Sequence, residues 1–122
     1  MTRFIHDQFA KQYLKELLTP FGNVETSRDI AGEVRQLDVL FSPKPEREID
    51  ATALGLLGQI AAKPAVFEPF RSPVQPGEIR SCLGKLFDLH AEFERIAARE
   101  NTRIVEADLP LLWILSPTVS DP

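Results

Sequence analysis

The sequence predicts an α/β domain in which helices flank a mixed β-sheet, in the order α-β-β-α-β-α-β, and three observations carry that prediction. Residues 4–18 and 76–100 repeat their apolar side chains every three to four positions, whereas 34–41 alternates them and 65–70 concentrates them as strands do. The longer helix stands between two strands, 65–70 and 109–115, which a crossover would make parallel. The last strand, Leu109-Pro-Leu-Leu-Trp-Ile-Leu115, is short, almost wholly apolar and framed by Pro110 and Pro117, so it reads as fully buried.

In chain order, Ile5, Phe9, Tyr13, Leu14, Leu17 and Leu18 define the apolar side of the first helix, with Asp7, Lys11, Lys15 and Glu16 between them. Thr2 suits its N-cap, and Thr19-Pro20-Phe21-Gly22 stops it. A more polar strand over 23–30 comes next, and the strand at 34–41 begins so soon after Ala31-Gly32 that the two predict an antiparallel hairpin. In the second strand Leu37, Val39 and Phe41 share one face, and Gln36, Asp38 and Leu40 the other. Residues 42–48 hold two prolines and read as a surface loop. A short helix is expected over 49–62, weakened by Gly55 and Gly58. In the strand at 65–70, Pro69 cannot donate to a ladder, which predicts an edge, a bulge or an exit from the sheet. The strongest helix is 76–100: Pro76 suits its first position, Glu78 its positive end, and Ile79, Leu83, Leu86, Phe87, His90, Phe93, Ile96 and Ala97 its apolar stripe.

The 122 residues form one domain, 1–122, with an ordinary globular composition of 43% hydrophobic and 26% charged residues. Because a buried last strand needs a neighbour on each side, the chain also reads as the first part of a longer protein. The apolar run near Trp113 is far shorter than the roughly 20 residues of a membrane span, and His6, Asp7, Gln8 and Lys11 interrupt any signal-peptide pattern, so a cytoplasmic protein without membrane contact is expected. A lone cysteine, Cys82, excludes an internal disulfide and a cysteine-rich metal site. The net charge of −4 disfavours a surface wholly given to gripping nucleic acid, because Lys and Arg supply that affinity by neutralising phosphates. Carboxylates gathered for a cation would add negative charge that the cation reverses, so an acidic nuclease stays open.

The strongest functional signal is Asp38, a carboxylate in the middle of Val34-Arg-Gln-Leu-Asp-Val-Leu-Phe41. A carboxylate in a strand of that character needs a compensating cation, donor or metal unless it faces water. Glu68 stands on another strand, and hard oxygen ligands of this kind suit magnesium, which activates water and offsets phosphodiester charge. Asp38 followed by Glu68, with this element order, resembles the PD-(D/E)XK nuclease superfamily and its restriction-endonuclease-like core. The opening Phe4-Ile-His-Asp-Gln-Phe-Ala-Lys11 resembles that of recombination-promoting nuclease and transposase-type proteins. Nearly the whole chain is similar to a set of uncharacterised cyanobacterial proteins, through Thr2-Arg-Phe-Ile-His-Asp-Gln-Phe-Ala-Lys11, Glu33-Val-Arg-Gln-Leu-Asp38, Phe67-Glu-Pro-Phe-Arg71 and Glu78-Ile-Arg-Ser-Cys-Leu83.

The resemblance implies that Asp38 and Glu68 bind Mg2+ and carry catalysis, that Arg35 or Arg71 contacts phosphate, that Glu16 is an accessory acid, and that the substrate is DNA. One departure stands out. The superfamily places a lysine two residues after its second carboxylate, and here that position is Phe70. Arg71 would face the other way in a regular strand, unless a bulge at Pro69 re-aims it, and, always protonated, cannot act as a base. The expectation is therefore either a divalent-metal-dependent DNA phosphodiesterase or, slightly favoured, a relative that has lost catalysis. The rival from a different class is a non-enzymatic interaction module that forms a homodimer through the 76–100 helix or a strand edge. Elsewhere, adjacent His6 and Asp7 diverge on a helix. His90 reads as a hydrogen-bonded core histidine, Cys82 as an unreactive helix residue, and Gly55-Leu-Leu-Gly58 fails the dinucleotide pattern.

Overall fold

The computed structural model describes residues 2–30, 36–44 and 55–117. Helix α1 (Thr2–Leu18) ends in a 3-10 turn at Thr19–Phe21, where Pro20 stops the helix as its fixed geometry requires. Strands β1 (Gly22–Asp29) and β2 (Gln36–Pro43) come next, then a short helix α2 (Leu56–Ile60), strand β3 (Ala65–Pro69), the long helix α3 (Pro76–Arg99) and strand β4 (Leu111–Leu115). Of the helix expected over 49–62, residues 49–54 lie outside the described residues. Gly55 takes a left-handed φ of 59° and precedes α2, so it sets the turn into the helix. Of the expected loop, Ser42 and Pro43 belong to β2, and 45–48 lie outside the described residues.

The sheet is four-stranded and mixed, in the order β1-β2-β3-β4. β1 and β2 pair antiparallel, as the short connection predicts; β2 and β3 are antiparallel; β3 and β4, joined through α3, are parallel. Of the three placements expected for Pro69, the exit holds: β3 is an inner strand whose ladder with β2 ends at Val39↔Phe67, so Pro69, its last residue, owes β2 no N–H. One expectation is corrected. β4 is only half-buried, with Leu111 and Leu115 exposed, and β3 is its one strand neighbour among the described residues.

Helices cover both faces. Leu14 and Leu18 of α1 pack with Val39, Phe41, Ala61, Ala65 and Phe67; Leu86 and Leu89 of α3 pack with Ile30, Leu37, Leu40 and Val66. Leu37 thus joins Leu40 instead of sharing a cluster with Val39. The departure coincides with Ser27, which lies opposite Asp38 between the pairs Thr26↔Val39 and Arg28↔Leu37 and has φ 53°, breaking the regular pleat. On the α3 side, Arg28 of β1 forms an ion pair with the buried Glu92 and stacks its guanidinium over the Phe93 ring, 5.9 Å from the centroid. No described helix is long and apolar enough to cross a membrane.

Both major helices are rotated from the phase that their aromatic residues suggest. In α3 the buried side chains are Cys82, Leu86, Leu89 and Glu92, while Ile79, Leu83 and Phe87 face outward, Phe87 being 60% exposed. In α1, Phe9 and Tyr13 are 71% and 58% exposed, and Leu14 and Leu18 carry the packing. The ends of α3 obey ordinary capping physics. Pro76 takes the first turn, and Glu78 Oε1 accepts the Gln75 N–H at 3.0 Å. At the other end Asn101, at φ 57°, closes a Schellman pattern in which the Thr102 N–H donates to Ala97 O at 2.8 Å.

Gly22 opens β1 where backbones approach closely: a Cβ there would lie 2.1 Å from Ser42 O and 2.8 Å from the Phe41 ring. Gly22→Ala is expected to destabilise the fold by about 1–3 kcal/mol through overpacking. Urea denaturation checks this, and a midpoint equal to the wild type contradicts it.

Candidate functional site

Register brings Asp38 and Glu68 together. In β3, Glu68 shares parity with Val66 and lies on the side that α3 covers; Asp38, where the β2 pleat breaks, lines the same pocket as Glu68 and Lys85 while facing Lys11 of α1. One step beyond Val39↔Phe67, the antiparallel register sets them opposite each other, thirty residues apart in sequence. The Asp38 N–H donates to Glu68 Oε2 at 2.9 Å. A ladder position has therefore been taken over by a side chain.

Each carboxylate faces a lysine. Lys85 of α3 ion-pairs with Glu68 Oε1 and donates to Gln36 O at 3.2 Å. Glu68 Oε1 has no hydrogen-bond partner of regular geometry among the described residues, although Lys85 supplies charge beside it. Lys11 of α1 stands 3.6 Å from Asp38 Oδ1 and donates to Ser27 Oγ at 2.9 Å. The Glu68 side chain is 1% exposed and that of Asp38 28%, so Glu68 is the anchored member and Asp38 the one nearer solvent.

The two acids line one half-open pocket of about 270 Å³ together with Pro69, Phe70, Arg71, Glu78 and Lys85. Because β3 ends at Pro69, strand alternation does not govern the next two residues, and both Phe70 and Arg71 line the pocket. The Phe70 N–H donates to Leu115 O at 2.8 Å, which ties this segment to β4. Arg35 lies outside the described residues. Glu16 is exposed on α1, accepts a hydrogen bond from Gln12 at 3.1 Å and is not among the residues lining the pocket.

Burial, reinforced by the negative charge of Asp38 and opposed by Lys85, pushes the Glu68 carboxyl up to about 7. Between its ordinary value of 4.5 and about 7, the folded chain holds a proton that the unfolded chain releases. The contribution of Glu68 to stability is therefore fully present below pH 4.5 and is lost as pH rises through about 7. In EDTA, the stability of the wild type relative to Glu68→Gln should fall across this window. Denaturation at stepped pH checks it, and a relative stability that rises with pH contradicts it.

Cys82 borders the pocket, but burial and the nearby Glu68 charge push its thiol up to about 11, so it is a poor nucleophile. His90 Nε2 donates to Pro110 O at 2.8 Å and fastens the entry to β4, which is a structural role.

Chemically, the pocket offers two carboxylates on adjacent strands, an ammonium against the buried one and a guanidinium at its wall. Among the described residues no group of three or more His, Cys, Asp or Glu could hold a metal ion. The donor set nevertheless fits magnesium, which commonly takes one or two protein carboxylates and completes its shell with water and substrate phosphate oxygens. At Glu68 Oε1 such an ion would stand beside Lys85 and compete with it for the carboxylate. No family model matches the chain, and neither does any curated protein or solved structure.

Proposed function

We propose that the chain is a PD-(D/E)XK nuclease-like domain with a restriction-endonuclease-like core, acting as a Mg2+-dependent DNA phosphodiesterase. The observation that carries this reading is the convergence of Asp38, Glu68 and Lys85 on one pocket. Lys85 offers from a helix the ammonium that Phe70 denies the strand, which favours retained chemistry over a degenerate site.

In this reading Asp38 and Glu68 hold the cation, which when bound supplies Lewis acidity and a positive charge for a phosphodiester. Glu68 fixes the backbone of Asp38 through its N–H and so sets the carboxylate's position. Lys85, turned toward Glu68, places positive charge where negative charge develops on phosphate oxygens. Arg71 contributes a guanidinium to the pocket wall, where it would contact a phosphate. Pro69 and Phe70 add an apolar part to the same lining.

The test is a plasmid-nicking assay in Mg2+ or Mn2+, with isothermal titration of Mn2+ alongside. Metal-dependent nicking supports the phosphodiesterase; metal binding without nicking assigns the degenerate form; absence of both removes the nuclease reading.

A second reading, a homodimerising interaction module, is favoured by one observation. Ile79, Leu83 and Phe87 form an exposed apolar row on α3. Sedimentation velocity showing a dimer that Phe87→Asp dissociates supports it, and a monomer at high micromolar concentration removes it.

A further inference from the structure

We infer that Lys11, held by Ser27, is a further anion-contacting group beside the site: an ammonium that faces Asp38 without a cation and turns to a phosphodiester oxygen once a divalent ion takes Asp38. The inference rests on the cation-site reading and adds a residue that reading does not use. Lys11 lies on the inward side of α1, three residues before Leu14, with its side chain only 12% exposed; like Glu16 it does not line the pocket, but unlike Glu16 it reaches the site's Asp38, 3.6 Å away. Its two polar contacts are unequal. The 2.9 Å contact to Ser27 Oγ is a committed hydrogen bond, whereas 3.6 Å to Asp38 Oδ1 is a charge contact beyond hydrogen-bond range. A cation can therefore claim Asp38 without breaking the bond that fixes the ammonium.

Ser27 has φ 53°, uncommon for a residue with a side chain, and lies opposite Asp38 in the β1–β2 register. Such backbone costs free energy and persists where surrounding contacts impose it. Here it accompanies a hydroxyl that holds a lysine beside the site's more exposed carboxylate. The result is a polar chain, Ser27 to Lys11 to Asp38 to Glu68 to Lys85, linking α1, three strands and α3.

The role predicts opposite effects on two ligands. Lys11→Met keeps an apolar stem and deletes the charge. Because an ammonium near Asp38 repels a divalent ion, the variant should bind Mn2+ alone at least about threefold more tightly. It should bind a short DNA duplex in Ca2+ more weakly, with the salt dependence of log K shallower by about one. Lys11→Arg, which keeps the charge, should restore both toward wild type. A merely structural role would weaken both ligands together.

Isothermal titration and fluorescence anisotropy read the two arms, with circular dichroism confirming the fold. Tighter Mn2+ with weaker duplex supports the inference. Parallel losses, or no change in either arm, overturn it while leaving the cation site standing. Failure of the wild type to bind Mn2+ overturns the cation site itself and this inference with it.

Discussion

Lys85→Met is expected to abolish metal-dependent cleavage while leaving Mn2+ binding intact or tighter. The ammonium faces Glu68 Oε1, and removing one stabiliser of developing charge typically costs about a hundred- to a thousandfold in rate. Cation affinity should move the other way, because Lys85 and a bound ion compete electrostatically for the same carboxylate. Lys85 holds the Glu68 carboxyl down, so in the variant this 1% exposed group should move further above about 7 and stay protonated at neutral pH, and the metal-free protein should lose stability relative to wild type as pH rises beyond neutrality. Mn2+ at a hundred times its Kd should return about 2.7 kcal/mol by mass action. Thermal melts with and without Mn2+, paired with the nicking assay, read both effects. Unchanged cleavage in Lys85→Met would contradict the assignment of Lys85, and loss of Mn2+ binding with a retained fold would contradict the expected competition between lysine and ion.

Asp38→Asn should do the reverse: lose the cation and keep the fold. Asp38 is partly exposed, and its lysine keeps Ser27 as a partner, so the change in stability should stay within about 1 kcal/mol. Mn2+ affinity should fall by more than the roughly 10–100-fold typical of losing an outer-shell partner, because a direct ligand is removed. One further readout distinguishes a shared site from two unrelated acids. The Asp38 charge helps to raise the Glu68 carboxyl, so Asp38→Asn should move its titration back toward the ordinary carboxylate range. NMR of a carboxyl-labelled glutamate checks this. A Glu68 titration indifferent to Asp38 would mean that the two carboxylates do not sense each other.

The helix and strand order, the hairpin and the parallel β3–β4 pair were legible because apolar periodicity and short connections encode them directly. So were the two carboxylates, since an acid within an apolar strand is conspicuous. The lysines were not, and one cause explains both. In α1 and α3 the largest apolar side chains suggest the inward face, yet Phe9, Tyr13 and Phe87 point outward and smaller residues carry the packing. With the phase corrected, Lys11 falls on the side of Leu14 and Leu18, and Lys85 on that of Cys82 and Leu89. A lysine within the buried stripe of a helix was the available signal, masked by aromatic residues on the opposite side. Pro69 left three placements open, and the exit holds because its missing N–H matters only where a ladder needs it, and the β2–β3 ladder has ended by then. The half-exposure of β4 could not be read at all, because apolar content records what a strand tolerates and not how many neighbours cover it.

The most direct measurement is anomalous diffraction from a crystal of the protein soaked in Mn2+. A single strong peak in the pocket, within about 2.3 Å of carboxylate oxygens of both Asp38 and Glu68, is the predicted result. Lys85 and Lys11 should remain beside it without contributing ligands. A fully diffused soak that leaves this pocket without a peak, or places manganese only on surface acids elsewhere, would contradict the account.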